Sequence, residues 1–162
     1  MQHVDGAALY VRTPAPMATE KRQQTILGRL EALRNARAID DVTVTYWFRQ
    51  ARDSDEDPVM PSVVALEAWA EDCDVSLTPA FEHHNRSNWF TGTEDDVVSL
   101  PVICLAFLAD GDICAVYPHS GPSGYQSVID GLDKLKRRPQ PSRTRLRERA
   151  SRPAVGQTGS QR

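Results

Sequence analysis

The feature that most limits what this chain can fold into is the place where its apolar pattern stops. After Leu135 no apolar periodicity survives, and the charge changes sign at almost the same point. Residues 134–162 hold ten Lys and Arg against one acid, Glu148, a balance of +9. Residues 1–133 hold nine bases and twenty-one acids, a balance of −12. A core must therefore come from residues 7–135, enough for one domain. Residues 136–162 read as a basic disordered tail, because a segment this polar buries too little to offset the entropy of ordering it.

Within 7–135 the periodicity changes repeatedly. Ala8 to Arg12 reads as a short strand closed by Thr13-Pro14-Ala15-Pro16. Thr19 is placed to cap a helix reaching about Arg37, with Ile26, Leu30 and Leu33 on one stripe. Val42, Val44, Tyr46 and Phe48 alternate with Thr43, Thr45 and Trp47, the pattern of a half-buried strand. Ser62 opens a second helix, with Val63, Leu66, Trp69, Ala70 and Cys73 at helical spacing. From Ser76 to Val98 the pattern is ambiguous: Ala80 to His84 is compatible with a strand, and Asn85 to Asp96 with a polar loop. Val102–Leu108 and Ile113–Tyr117 flank Asp110-Gly111, a hairpin signal because a type I′ turn needs positive φ at both central residues. Ser123 to Gln126 reads as a capping box for a last helix, with Tyr125, Val128, Ile129, Leu132 and Leu135 as its stripe.

The resulting order, β-α-β-α-(β)-β-β-α, predicts an α/β fold: one sandwich domain with a mixed sheet. It resembles the thioredoxin-like fold, with Pro101 where that family has its cis-proline, Gly111 in the hairpin turn, and Gly121 and Gly124 before the last helix. A ferredoxin-like arrangement is the rival. The resemblance carries no dithiol activity, because Thr13 to Ala18 contains no cysteine where a redox thioredoxin needs two. In the predicted hairpin register, Cys104 pairs with Tyr117 and Phe107 with Cys114. That parity sends Cys104 and Cys114 to opposite sheet faces, and Cys73 falls on a helix stripe, so all three are expected to be reduced core residues.

Other chemistries find little support. His83 and His84 are adjacent and point to opposite faces of a strand, and Cys73 offers them no zinc-type spacing. The acidic triplets Asp53-Asp55-Asp57 and Glu94-Asp95-Asp96 lack the EF-hand spacing. Neither a P-loop nor G-x-G-x-x-G nor G-x-S-x-G occurs. The expectation is a non-enzyme with no catalytic residue, no metal and no cofactor. No apolar run approaches the roughly 20 residues of a membrane span, and residues 1–12 lack a secretory pattern, which predicts a cytoplasmic location without membrane contact.

One segment does resemble a nucleic-acid motif. Ala70 to Ser76, following an apolar helix, is similar to the first helix and turn of a helix-turn-helix, although Asp74 stands where the turn glycine is usual. The segments Leu9-Tyr10-Val11-Arg12, Leu66 to Ala70, Leu100 to Leu105 and Asp110-Gly111-Asp112 resemble a family of short haloarchaeal proteins that carries a helix-turn-helix domain label. That resemblance implies a DNA-associated transcriptional regulator, and it agrees with an Asp-rich body in which three Lys stand against sixteen Arg. The same composition fits a mesophile with a GC-rich genome.

The partner is expected to be DNA or another protein. For DNA, the candidate contacts are Arg137, Arg138, Arg143, Arg145, Arg147, Arg149 and Arg152 of the tail, which is otherwise solvated or folded back on the acidic body. Trp47, Trp89 and Phe90 are candidate exposed contacts, or else packed. The competing class is a redox-inactive thioredoxin-like module that binds a protein through its sheet edge or its Pro101 surface. The conformation of residues 76–90 discriminates: a helix supports a local helix-turn-helix, and a paired strand removes it.

Overall fold

The computed structural model describes residues 3–137, apart from 55, 89 and 91. β1 (Gly6–Arg12), α1 (Met17–Asn35) and β2 (Asp41–Trp47) form a unit in which β2 lies parallel to β1, with Gly6 beside Asp41 and Arg12 beside Trp47. A parallel pair needs such a crossover, because a tight turn joins only antiparallel strands. β3 (Gln50–Arg52), α2 (Met60–Asp72), β4 (Glu82–Asn88) and β5 (Thr93–Ser99) come next. β6 (Ile103–Ala109), β7 (Asp112–Tyr117), β8 (His119–Gly121), β9 (Gly124–Gln126) and α3 (Val128–Arg137) complete the order.

The central sheet runs β2-β1-β6-β7, a parallel pair continued by an antiparallel hairpin. This is the thioredoxin-like order expected from the sequence, in a mixed α/β domain. A second sheet, β3-β5-β4, and the small ladder β8-β9 are additions to it.

Each face of the central sheet has its own core. On one face Leu9, Ile26, Leu30, Leu105, Phe107 and Leu132 pack beneath α1 and α3. On the other, Trp47, Val63, Leu66, Phe81, Cys104 and Val116 pack beneath α2. α1 has no side-chain cap, its N-cap being Pro16 rather than the expected Thr19. Tertiary packing holds it instead: Ile26 and Leu30 are fully buried, each stabilising by about 2–3 kcal/mol.

The sequence-based expectations need correction at several points. The capping box of α3 is Ser127 with Asp130, not Ser123 to Gln126. The Asp130 amide donates to Ser127 Oγ at 3.1 Å, and the Ser127 amide donates to Asp130 Oδ2 at 2.8 Å. Tyr125 belongs to β9 and is exposed. The hairpin turn has the expected geometry, with φ of 53° at Asp110 and 85° at Gly111. A bulge at Phe107/Leu108, however, moves the ladder by one residue, so Leu105 rather than Cys104 faces Tyr117. Cys104 and Cys114 still pack toward opposite faces and all three cysteines are free, but Cys73, at the end of α2, is exposed rather than core. The cis peptide bonds precede Pro14, Pro79 and Pro118, and Pro101 is not among them.

Candidate functional site

Three places were singled out by the sequence: the turn after α2, the surface around Pro101, and the basic C-terminal arginines. The turn begins as expected. α2 ends at Asp72, Cys73 is its C-cap, and Asp74 adopts φ 56°, the left-handed conformation for which a glycine was expected. No recognition helix follows. Ser76 bridges Ser120, and Glu82–Asn88 pairs along its whole length with β5, from Glu82 opposite Ser99 to Asn88 opposite Thr93. The local helix-turn-helix expected at residues 70–90 is therefore corrected to a helix, a left-handed turn and a strand. The physical reason is the segment EHHNRSN, which offers no apolar stripe for a packed helix. As a strand its backbone groups are satisfied by the ladder, and its polar side chains find neighbours. Asn85 Nδ2 donates to Asp96 Oδ1 at 2.8 Å, His83 Nε2 meets Glu67 Oε2 at 2.6 Å, and His84 Nε2 meets Ser99 Oγ at 3.0 Å.

The second place sits where β1 runs into α1, the position of the dithiol in a redox thioredoxin. Here it is closed by polar contacts between neighbouring segments. Gln23, itself buried, donates through Nε2 to the carbonyls of Arg12 at 3.1 Å and Val102 at 2.8 Å. The Arg12 guanidinium donates to the carbonyl of Leu100. Trp47 Nε1 donates to the Pro101 carbonyl at 3.0 Å, while its ring stacks on Tyr10 at 4.9 Å and meets Phe81 edge-on at 5.8 Å. Pro101 is consequently buried, and so is Trp47, which removes both as exposed contacts. Burial, and then the charge of Arg49, holds the Arg12 pKa below the ordinary arginine value. Two guanidinium groups thus lie near each other, with no carboxylate paired to either among the described residues.

A cavity of about 180 Å³ lies beside the β8–β9 ladder, lined by Leu77, Pro79, Ala80, Pro118, His119 and Tyr125 among others. It is smaller than the roughly 300 Å³ at which small-molecule sites begin. Its histidine is committed to structure: Nδ1 donates to the Val116 carbonyl at 2.6 Å, and the ring lies against Trp69 and Tyr117. The Cys104 thiol is raised far above its ordinary pKa by complete burial, which leaves it unreactive as a nucleophile.

Of the candidate DNA contacts, Arg137 is exposed in the last turn of α3 beside Lys134 and Lys136. Arg138, Arg143, Arg145, Arg147, Arg149 and Arg152 lie outside the described residues, as does Trp89. Phe90 is exposed. Among the described residues, no helix is long and apolar enough to cross a membrane. Sequence reasoning missed the β3 and β5 strands and the open edge of β2. The signal for that edge was present in DVTVTYW, a β-branched run without a charge or proline to guard it beyond its first residue.

No curated protein and no solved structure matches the chain. Residues 5–140 do match the model of a protein family described as a helix-turn-helix domain. The match extends over both faces of the sheet, so it describes the whole α/β domain and not the corrected segment alone. Because it takes in most of the sequence, the chain belongs to this helix-turn-helix domain family.

Proposed function

We infer that the protein is a non-catalytic regulator that associates with DNA in transcriptional control. The observation that carries this reading is membership of the helix-turn-helix domain family over residues 5–140. The charge division supports a place for the contact. A body with a balance of −12 repels phosphate, whereas residues 134–162 carry +9. Arg137 and its six downstream arginines are the phosphate contacts of this reading, reached from the C-terminal end of α3. The domain then acts as a scaffold presenting that segment.

Salt separates specific from non-specific association. At about 1 M salt the screening length is only about 3 Å, so an arm that works by charge alone loses its affinity there. Fluorescence anisotropy of labelled duplex DNA, with the full chain and a version ending at Leu135, tests the reading from low salt to molar KCl. Binding that survives molar KCl supports a regulator that reads DNA directly. Binding that needs residues 136–162 and vanishes with salt leaves a non-specific arm. Absence of binding in both forms overturns the reading in favour of a protein-binding module. That second reading is favoured by the open edge of β2, since the burial of Pro101 removes the other surface on which it was based.

A further inference from the structure

β2 is the outermost strand of the central sheet, paired only with β1 among the described residues. An outer strand leaves a row of unpaired backbone N–H and C=O groups, and natural edges are usually guarded by lysine, proline, bulges or brevity. The outer strand β4 of the second sheet is guarded in this sense by its polar sequence EHHNRSN, and β3 is only three residues long. β2 has none of these devices. Its seven residues include six that are β-branched or aromatic, and its register with β1 is unbroken from Gly6/Asp41 to Arg12/Trp47. Thr43 and Thr45 are exposed, Tyr46 is 60% exposed, and Phe48 just beyond the strand is 70% exposed.

The ends of this edge differ in sign. It opens with Asp41 and closes with Arg49, and neither side chain has an ion-pair partner among the described residues. A strand with an acid at one end and a base at the other is complementary to itself when turned antiparallel about a two-fold axis. We propose that the edge of β2 pairs with the same edge of a second copy of the chain, joining two four-stranded sheets into one of eight strands.

With the axis at Val44, Thr43 faces Thr45 of the second copy, and Val42 faces Tyr46. These are a hydroxyl pair and an aromatic–β-branched pair of the kinds that stabilise antiparallel sheets. Asp41 and Arg49 are separated by an even number of residues and share the threonine face. Each Asp41 therefore lies diagonal to the other copy's Arg49, within reach of a long side chain. The contact also supplies a carboxylate where Arg12 and Arg49 repel each other. Backbone hydrogen bonds and the Val42–Tyr46 contact persist in high salt, while the charged ends fix direction and register.

Sedimentation equilibrium of the full chain at micromolar concentration tests this without reference to DNA, so its failure leaves the regulatory reading untouched. The wild-type chain is expected at twice the monomer mass. Thr43→Lys with Thr45→Lys, both at exposed positions, is expected at monomer mass with unchanged far-UV circular dichroism and melting temperature. Asp41→Arg and Arg49→Asp each weaken the dimer by about tenfold, and the two together restore it, because two exposed pairs per interface change sign. A wild-type monomer across the concentration range overturns the proposal. So does a dimer indifferent to the threonine substitutions. A dimer formed only after removal of residues 138–162 also overturns it, since the basic segment then occupies the edge.

Discussion

The hairpins β4–β5 and β6–β7 are each built from strands of six or seven residues in antiparallel register. In β6–β7 the strands read ICLAFLA and DICAVY, and nearly every side chain of β6 is buried between the two cores. In β4–β5 they read EHHNRSN and TEDDVVS, and only Val97 and Val98 are buried. The first hairpin is defined by what its side chains cover. The second is defined by its backbone ladder and by polar pairs such as Asn85 with Asp96. Strand conformation thus has two origins in one chain, and only one of them leaves an apolar pattern.

The comparison breaks first at the centre of the buried hairpin. Leu105 is fully buried, and Leu105→Ala is expected to cost about 2–5 kcal/mol in urea denaturation, lowering the stability of the whole domain. A loss below about 1 kcal/mol would show that β6 is not the organising strand. Next is the approach of α3 to β7. A Cβ added at Gly131 would stand 2.5 Å from the Tyr117 ring, which is 5% exposed and has little room to move. Gly131→Ala is therefore expected to cost about 1–3 kcal/mol despite the gain in helix propensity. A neutral or stabilising result would mean that the ring shifts freely.

A smaller effect is expected where α3 starts. Ser127→Ala removes the capping hydroxyl and is expected to cost about 1 kcal/mol by thermal melting. The backbone and hydroxyl of Ser127 hold the Asp130 carboxyl below its ordinary pKa. The folded value lies below the unfolded one, so this contribution is present above the unfolded pKa and is lost as pH falls through the folded value. Asp130→Asn should accordingly flatten the acid limb of a melting-temperature profile, and an unchanged limb would remove the box as its cause.

The same contrast explains what the sequence made legible. The stripes Ile26-Leu30 and Val63-Leu66-Ala70, the apolar run of β6 and the Asp110-Gly111 turn each carry a periodicity or a backbone requirement, and each was found. The strands β3, β4 and β5 carry neither, because their conformation is supplied by a partner distant in sequence, as Gln50 and Glu82 are both supplied by Ser99. The apparent helix-turn-helix failed for this reason. Its first half, α2 and the left-handed residue Asp74, is local and was legible, whereas the fate of residues 82–88 was decided by pairing. At the end of β2 the alternation misled: Trp47 is 1% exposed while Tyr46 and Phe48 face outward. Trp47 enters the core beneath α2 because its indole N–H finds the Pro101 carbonyl there.

The smallest expected effect sharpens the comparison most. Asn85→Ala removes an exposed cross-strand hydrogen bond to Asp96, and its cost to global stability is expected to be below about 1 kcal/mol. Hydrogen exchange should locate the loss: amides of β4 and β5 exchange faster, while those of β6 and β7 keep their protection. A hairpin held by its ladder opens locally when a polar pair is removed, because little buried surface ties it to the rest. Acceleration spreading to β6 would instead make the two hairpins one cooperative unit. The polar hairpin would then be an integral part of the domain, and residues 82–88 could not rearrange into a helix without unfolding the core beneath α2.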